Sequence, residues 1–241
     1  MRRALVIAPT WIGDALMAQP LLARLVKLHP RIVIDAVAPA WVAPVLERMP
    51  EINEVYSTDL AHGKLQWLNR WHLAADLRDV RYDAAYVLPN SLKSALIPWL
   101  ARIPRRTGYI VESRYGLLTD VRRLDRKAMP QLVQRFAALA GAPGTRVPMS
   151  PAPVLIPDTV NRATAMRAMH LTSKRPAVIL CPGAEFGPSK RWPPTHFADL
   201  ARRFLERGLQ VWLVGSPNDK IAANAVIAEA AAEGVEEQAR P

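Results

Sequence analysis

ALVIAPTWIGD (Ala4–Asp14) and AVILCPGAEFG (Ala177–Gly187) repeat one local pattern: an apolar run, a proline, a turn, and a stretch with helical spacing. Each is followed by a second run of buried character, Ile32–Ala38 in the first half and Leu209–Val214 in the second. An apolar strand that opens into a helix and returns as another apolar strand is the βαβ unit of a parallel sheet. The pattern starts twice, so the chain is read as α/β with two Rossmann-like doubly wound domains. Between the starts lies GAPGTRVPMSPAPVLIP (Gly141–Pro157), dense in Gly and Pro and poor in charge. The expected division is a first domain over 1–150, a linker over 151–172 and a partial second domain over 173–241.

The second start continues as PGAEFGPSKRWP (Pro182–Pro193). Gly183 and Gly187 let backbone N–H groups approach a ligand closely, while Lys190 and Arg191 bring charge. A helix opening near Pro194 adds a partial positive field. All three favour an anion, above all a phosphorylated one. The alternative is a surface loop merely stiffened by its prolines.

The 241 residues include a single cysteine, Cys181, which excludes an internal disulfide; in its apolar run it reads as core. Arg2-Arg3 followed by Ala4–Ile12 imitates a signal peptide, but Asp14 interrupts the apolar stretch and a first strand is the better reading. No uncharged run reaches membrane-spanning length. The net charge of +11 is lopsided: residues 1–150 carry 21 Lys and Arg against 12 Asp and Glu, a net of +9. That half is expected to face something anionic. Nucleic acid is the simplest such partner for a basic chain, yet no zinc-finger spacing, helix-turn-helix signature or RNP-like aromatic run is present.

Helical periodicity is clearest at Thr195–Arg207, where Phe197, Leu200, Ala201, Phe204 and Leu205 share one face between Pro194 and Gly208. Leu16–Leu28 is also helical in pattern, with Pro20 marking a kink or a first turn. Tyr82–Leu88 reads as another buried strand. Asp14 follows Gly13 where the first strand turns into the first helix, the edge of an open α/β sheet at which ligands bind. It reads either as a general base or as an N-cap, and position alone favours the cap. One glycine in Pro9–Gly13 is no G-x-G-x-x-G, so a dinucleotide cofactor is poorly supported. The five histidines are scattered without ligand spacing, and no metal site is expected.

With these residues in view, the chain resembles the bacterial lipopolysaccharide heptosyltransferases of glycosyltransferase family 9, in particular their heptosyltransferase II branch. The resemblance rests on IAPTWIGDALMAQPL (Ile7–Leu21), LPNSLKSALIPWLA (Leu88–Ala101), RTGYIVESRYGLL (Arg106–Leu118) and Pro182–Phe204. It implies a GT-B fold, with the acceptor on the first domain and the donor mainly on the second. It implies inverting transfer of L-glycero-D-manno-heptose from ADP-heptose to the first heptose of the lipopolysaccharide inner core. Neither cofactor nor metal is implied, ADP-heptose being a co-substrate. Carried over by position, Asp14 is the general base, and Lys190 neutralises the departing diphosphate. Gly183, Ala184, Glu185, Gly187, Ser189, Lys190 and Asp219 would hold the donor. Trp11, Gly13, Lys64, Lys93, Arg106 and Arg122 would hold a heptosyl-Kdo2-lipid A acceptor presented at the cytoplasmic surface of the inner membrane. The family pattern continues through a T-N-D-S-G-x-x-H-x-A stretch, whereas this chain ends at GVEEQARP (Gly234–Pro241), so a truncated member is expected. The rivals are a catalytically impaired remnant that binds anionic glycolipid and a basic nucleic-acid-binding protein.

Overall fold

Ala4, Leu5, Val6 and Ile7 are buried on both faces, which only a strand inside a sheet covered on both sides allows. In the computed structural model, which describes residues 1–59, 65–145, 147, 152–185 and 187–232, these residues form β1 (Arg3–Ile7). Two compact units divide between Asp158 and Thr159, inside the expected linker.

In the first unit, β1 leads through α1 (Ile12–Met17) and α2 (Gln19–Leu28) to β2 (Val33–Pro39), α3 (Ala43–Leu46), β3 (Glu54–Thr58), α4 (Trp67–Asp79) and β4 (Ala84–Val87). It continues with α5 (Leu92–Leu100), β5 (Arg105–Tyr109), β6 (Asp120–Arg122) and α6 (Leu132–Ala138). The six strands are parallel in the order β3-β2-β1-β4-β5-β6. Val6 of β1 lies between Ala36 of β2 and Tyr86 of β4. The chain winds one way from β1 through β2 to β3 and the other way from β4, so the switch point falls between β1 and β4.

Strand alternation sorts the core into two layers. Ala4, Val6, Ala84 and Tyr86 pack toward Leu21, Leu22 and Leu25 of α2 and Phe136 of α6. Leu5, Ile7, Ala85 and Val87 pack toward Ala74 and Leu77 of α4 and Ala95 and Ile97 of α5. The helix read over Leu16–Leu28 is two helices, broken at Ala18, and Pro20 sits in the first turn of α2, where its missing N–H costs nothing. Gln19 of α2 is buried and exchanges two 2.7 Å bonds with the backbone of Val154, holding the segment that leads out of this unit.

The second unit contains α7 (Thr159–Ala168), β7 (Ala177–Leu180), α8 (Pro194–Glu206), β8 (Gln210–Leu213) and α9 (Lys220–Ala232). β7 and β8 pair in parallel, Val178 opposite Val211. α8 packs on α9 and on β8, with Ala198, Ala201 and Val226 buried. One expectation is corrected here: Cys181 is exposed, not core. Among the described residues β7 is joined only by β8, so its sheet buries little, and Ile179 is itself 57% exposed.

Candidate functional site

The site elements lie at the C-terminal strand edges of both units. In the first unit the loops after β1, β2 and β4 enclose a cavity of about 640 Å³ at the switch point. Its apolar floor is Ile7, Val37 and Ile97, and its polar lining includes Thr10, Arg70, Asn90, Ser91, Lys93 and Glu112. A mostly apolar cleft with a few convergent polar groups is the usual form of a small-molecule site.

Two arginines shape this cavity, and neither stands out in the sequence. Arg70 of α4 is 5% exposed; its Nε donates to the Leu65 carbonyl at 2.6 Å and its Nη1 to the Lys93 carbonyl at 3.1 Å. Burial lowers its pKa from the ordinary arginine value. Arg114 is fully buried and donates to the carbonyls of Pro89 at 2.7 Å, Ser91 at 3.2 Å and Tyr109. Its Nε has no partner among the described residues, and desolvation lowers its pKa while Glu112 opposes that shift. Arg114 thereby ties the loop after β4 to the end of β5. Glu112 in turn accepts the Leu92 N–H at 2.5 Å, at the opening of α5. Both arginines were missed because their partners are backbone carbonyls, which carry no signature in the sequence.

Asp14 is not the N-cap that its position favours. Trp11 occupies that place without a side-chain cap bond, and Asp14 sits in the first turn of α1. Its half-buried carboxylate has no hydrogen-bond partner among the described residues. A Cβ at Gly13 would meet nothing within 4 Å. Trp11 is exposed beside it.

The remaining acceptor positions divide. Lys93 lines the cavity. Lys64 lies outside the described residues. Arg106 spends its guanidinium on the carbonyls of Leu117 and Ile103, both at 2.5 Å, and Arg122 is buried against Asp120 at 2.7 Å. Both therefore serve the β5–β6 edge, and neither is carried into the site. The Asp120 carboxyl is raised by burial, but its bonds from Arg122 and Arg105 outweigh this and hold it at about 2.

In the second unit the loops after β7 and β8 meet. The Asp219 carboxylate accepts the Ser216 N–H at 2.9 Å and the Ser216 hydroxyl at 2.8 Å, closing a turn at the end of β8. These bonds, backbone first, lower its pKa, and Arg191 adds to the effect. Gly187 has φ +75°, which favours glycine, and turns the chain into a 3₁₀ turn over Pro188–Lys190. Arg191 donates to the Ala184 carbonyl at 3.3 Å, while the exposed Lys190 side chain has no ion pair among the described residues. Glu185 and Ser189 are exposed along the same loop. Trp192 packs edge-on to Phe197, ring centroids 5.1 Å apart, as α8 begins. Among the described residues no cluster of three or more His, Cys, Asp or Glu is placed to hold a metal.

A backbone-lined loop with a lysine at a helix opening, together with a switch-point cavity, is the equipment of a sugar-nucleotide transferase. The model of glycosyltransferase family 9 (heptosyltransferase) matches residues 70–240, and the chain belongs to that family. It is 47% identical over 232 residues to lipopolysaccharide heptosyltransferase 2 of Escherichia coli K12, covering 94% of this chain and 67% of that protein. It is 41% identical to lipooligosaccharide heptosyltransferase 2 of Haemophilus ducreyi, with 93% and 66% covered. The solved structure of the E. coli ADP-heptose LPS heptosyltransferase II superposes with a TM-score of 0.84 at 44% identity, covering 95% of this chain and 68% of that one. A family 9 glycosyltransferase from Veillonella parvula superposes at 0.81 and 21% identity, which speaks to fold alone. The expected GT-B class holds, and the chain spans about two thirds of the length of these relatives.

Proposed function

We propose that this chain carries the heptosyltransferase II activity, moving L-glycero-D-manno-heptose from ADP-heptose to the first heptose of the lipopolysaccharide inner core. The acceptor hydroxyl attacks the anomeric carbon, the bond from that carbon to the diphosphate oxygen breaks, and ADP leaves with inversion. Asp14 takes the hydroxyl proton. Lys190, the backbone of Gly183–Ser189 and the opening of α8 take up the charge growing on the diphosphate. The switch-point cavity, lined by Lys93, holds the acceptor and its phosphates and carboxylates, and Trp11, Gly13 and Lys64 act on the acceptor as well. Asp219 acts on the donor side, either touching the nucleoside or fixing the loop that does.

The observation that carries this reading is that the Asp14 carboxylate in the first turn of α1 and the Lys190 ammonium in the loop after β7 are each left without a bonding partner among the described residues. The test is turnover of ADP-heptose with a heptosyl-Kdo2-lipid A acceptor, abolished in Asp14→Ala. Acceptor binding without turnover would instead identify a non-catalytic glycolipid-binding remnant. Work at the cytoplasmic leaflet of the inner membrane belongs to the same proposal; among the described residues no helix is long and apolar enough to cross a membrane.

A further inference from the structure

The helix α4 is built inside out at its N-terminal half. Its buried side carries Arg70, Ala74 and Leu77, while Trp67, Leu68 and Trp71 point outward at 45%, 68% and 47% exposure, with Leu65 exposed just before them. Residues 65–75 contain no carboxylate; the helix's acids, Asp76 and Asp79, come only in its second half. A soluble helix normally places this much apolar surface against the core. Here the core side is already satisfied by Ala74 and Leu77, and Arg70 caps carbonyls at the cavity wall.

We propose that this face, Leu65, Trp67, Leu68 and Trp71, is where the protein docks on an anionic lipid bilayer, an inference that rests on the proposed lipid-linked acceptor. Three observations select a bilayer. Indole rings with one polar N–H edge suit the headgroup boundary, and leucine beside them inserts below it. The net charge of +9 over residues 1–150 is complementary to an anionic surface. The patch also adjoins the cavity through Leu65, which belongs to both, while Arg70 of the same helix lines the cavity, so a lipid-anchored acceptor reaching that cavity would leave its acyl chains beside α4. A protein partner fits less well: four partly exposed side chains offer roughly 400 Å², about half of what one side of a stable interface buries.

The test uses the full chain with two kinds of vesicle, phosphatidylethanolamine with phosphatidylglycerol, and phosphatidylcholine alone. The chain should sediment with the anionic vesicles, and acyl chains brominated near the headgroup should quench its tryptophan emission. Trp67→Ser with Trp71→Ser should lower partitioning by roughly tenfold. Leu68→Glu, at the most exposed position of this face, should do the same. Both variants should keep wild-type turnover on a deacylated, water-soluble acceptor, since none of the three residues lines the cavity. Unchanged partitioning in either folded variant overturns the docking face, as does an effect confined to self-association in sedimentation velocity. Tryptophan-dependent vesicle binding without any ADP-heptose turnover would leave the face standing and overturn the activity.

Discussion

The side chain of Asp219 occupies the space that a Cβ on Gly183 would need, so the loop after β7 can lie against the loop after β8 only because residue 183 is glycine. The contact joins the segment that opens the Lys190 loop to the turn held by Ser216 and Asp219. Gly183→Ala forces these loops apart and should destabilise the second unit by about 1–3 kcal/mol. Gly13→Ala is the contrasting case, because its Cβ meets nothing and the residue is helical. That change should leave stability unchanged or raise it by roughly 0.5 kcal/mol while weakening acceptor binding. Thermal midpoints and acceptor KM values of the two variants separate the roles.

Arg114 holds three carbonyls from inside the first unit. Arg114→Met should cost about 2–4 kcal/mol, because it strands those carbonyls and leaves Glu112 without its nearby cation. Urea denaturation measures the loss. Arg114→Lys should restore only part of it, since a single ammonium cannot span three acceptors in fixed directions.

The Asp120 carboxyl, near 3.8 when unfolded, is held at about 2 in the fold. The native state therefore binds the proton less readily, and the contribution is full above about pH 4 and lost as pH falls through 2. After solvent screening it amounts to about 1 kcal/mol. Urea titrations over this window should show that loss in the wild type and a flatter profile in Asp120→Asn.

Cys181 is exposed immediately before the Lys190 loop. Iodoacetamide should therefore alkylate the native protein within roughly tenfold of the rate seen for the unfolded chain. Saturating ADP-heptose should slow the reaction by covering the loop. A thiol that reacts only after denaturation would contradict the exposed placement.

The strands β1, β2 and β4 were legible because parallel strands covered on both faces are largely apolar runs, and β7 and β8 were legible from the same apolar character although they are less covered. β5, RRTGY, was not: its first residues are charged, and its burial comes from β4 and β6 beside it. The site motifs were legible as chemistry, since Asp14, Gly183 and Lys190 sit at strand-to-helix turns. What sequence could not separate was service to a ligand from service to the fold. Arg106 and Arg122 look like phosphate ligands until their guanidiniums are seen on Leu117, Ile103 and Asp120. Cys181 looked like core because the run before it is apolar, and a strand's own residues do not reveal how few neighbours cover it.

The central claim is tested most directly by single-turnover kinetics with ADP-heptose and a water-soluble, deacylated heptosyl-Kdo2 acceptor, comparing the wild type with Asp14→Asn. The account predicts product from the wild type and a loss of roughly 10²- to 10⁴-fold in the chemical step of the variant, with ADP-heptose affinity little changed. Equal rates in the two proteins would contradict it.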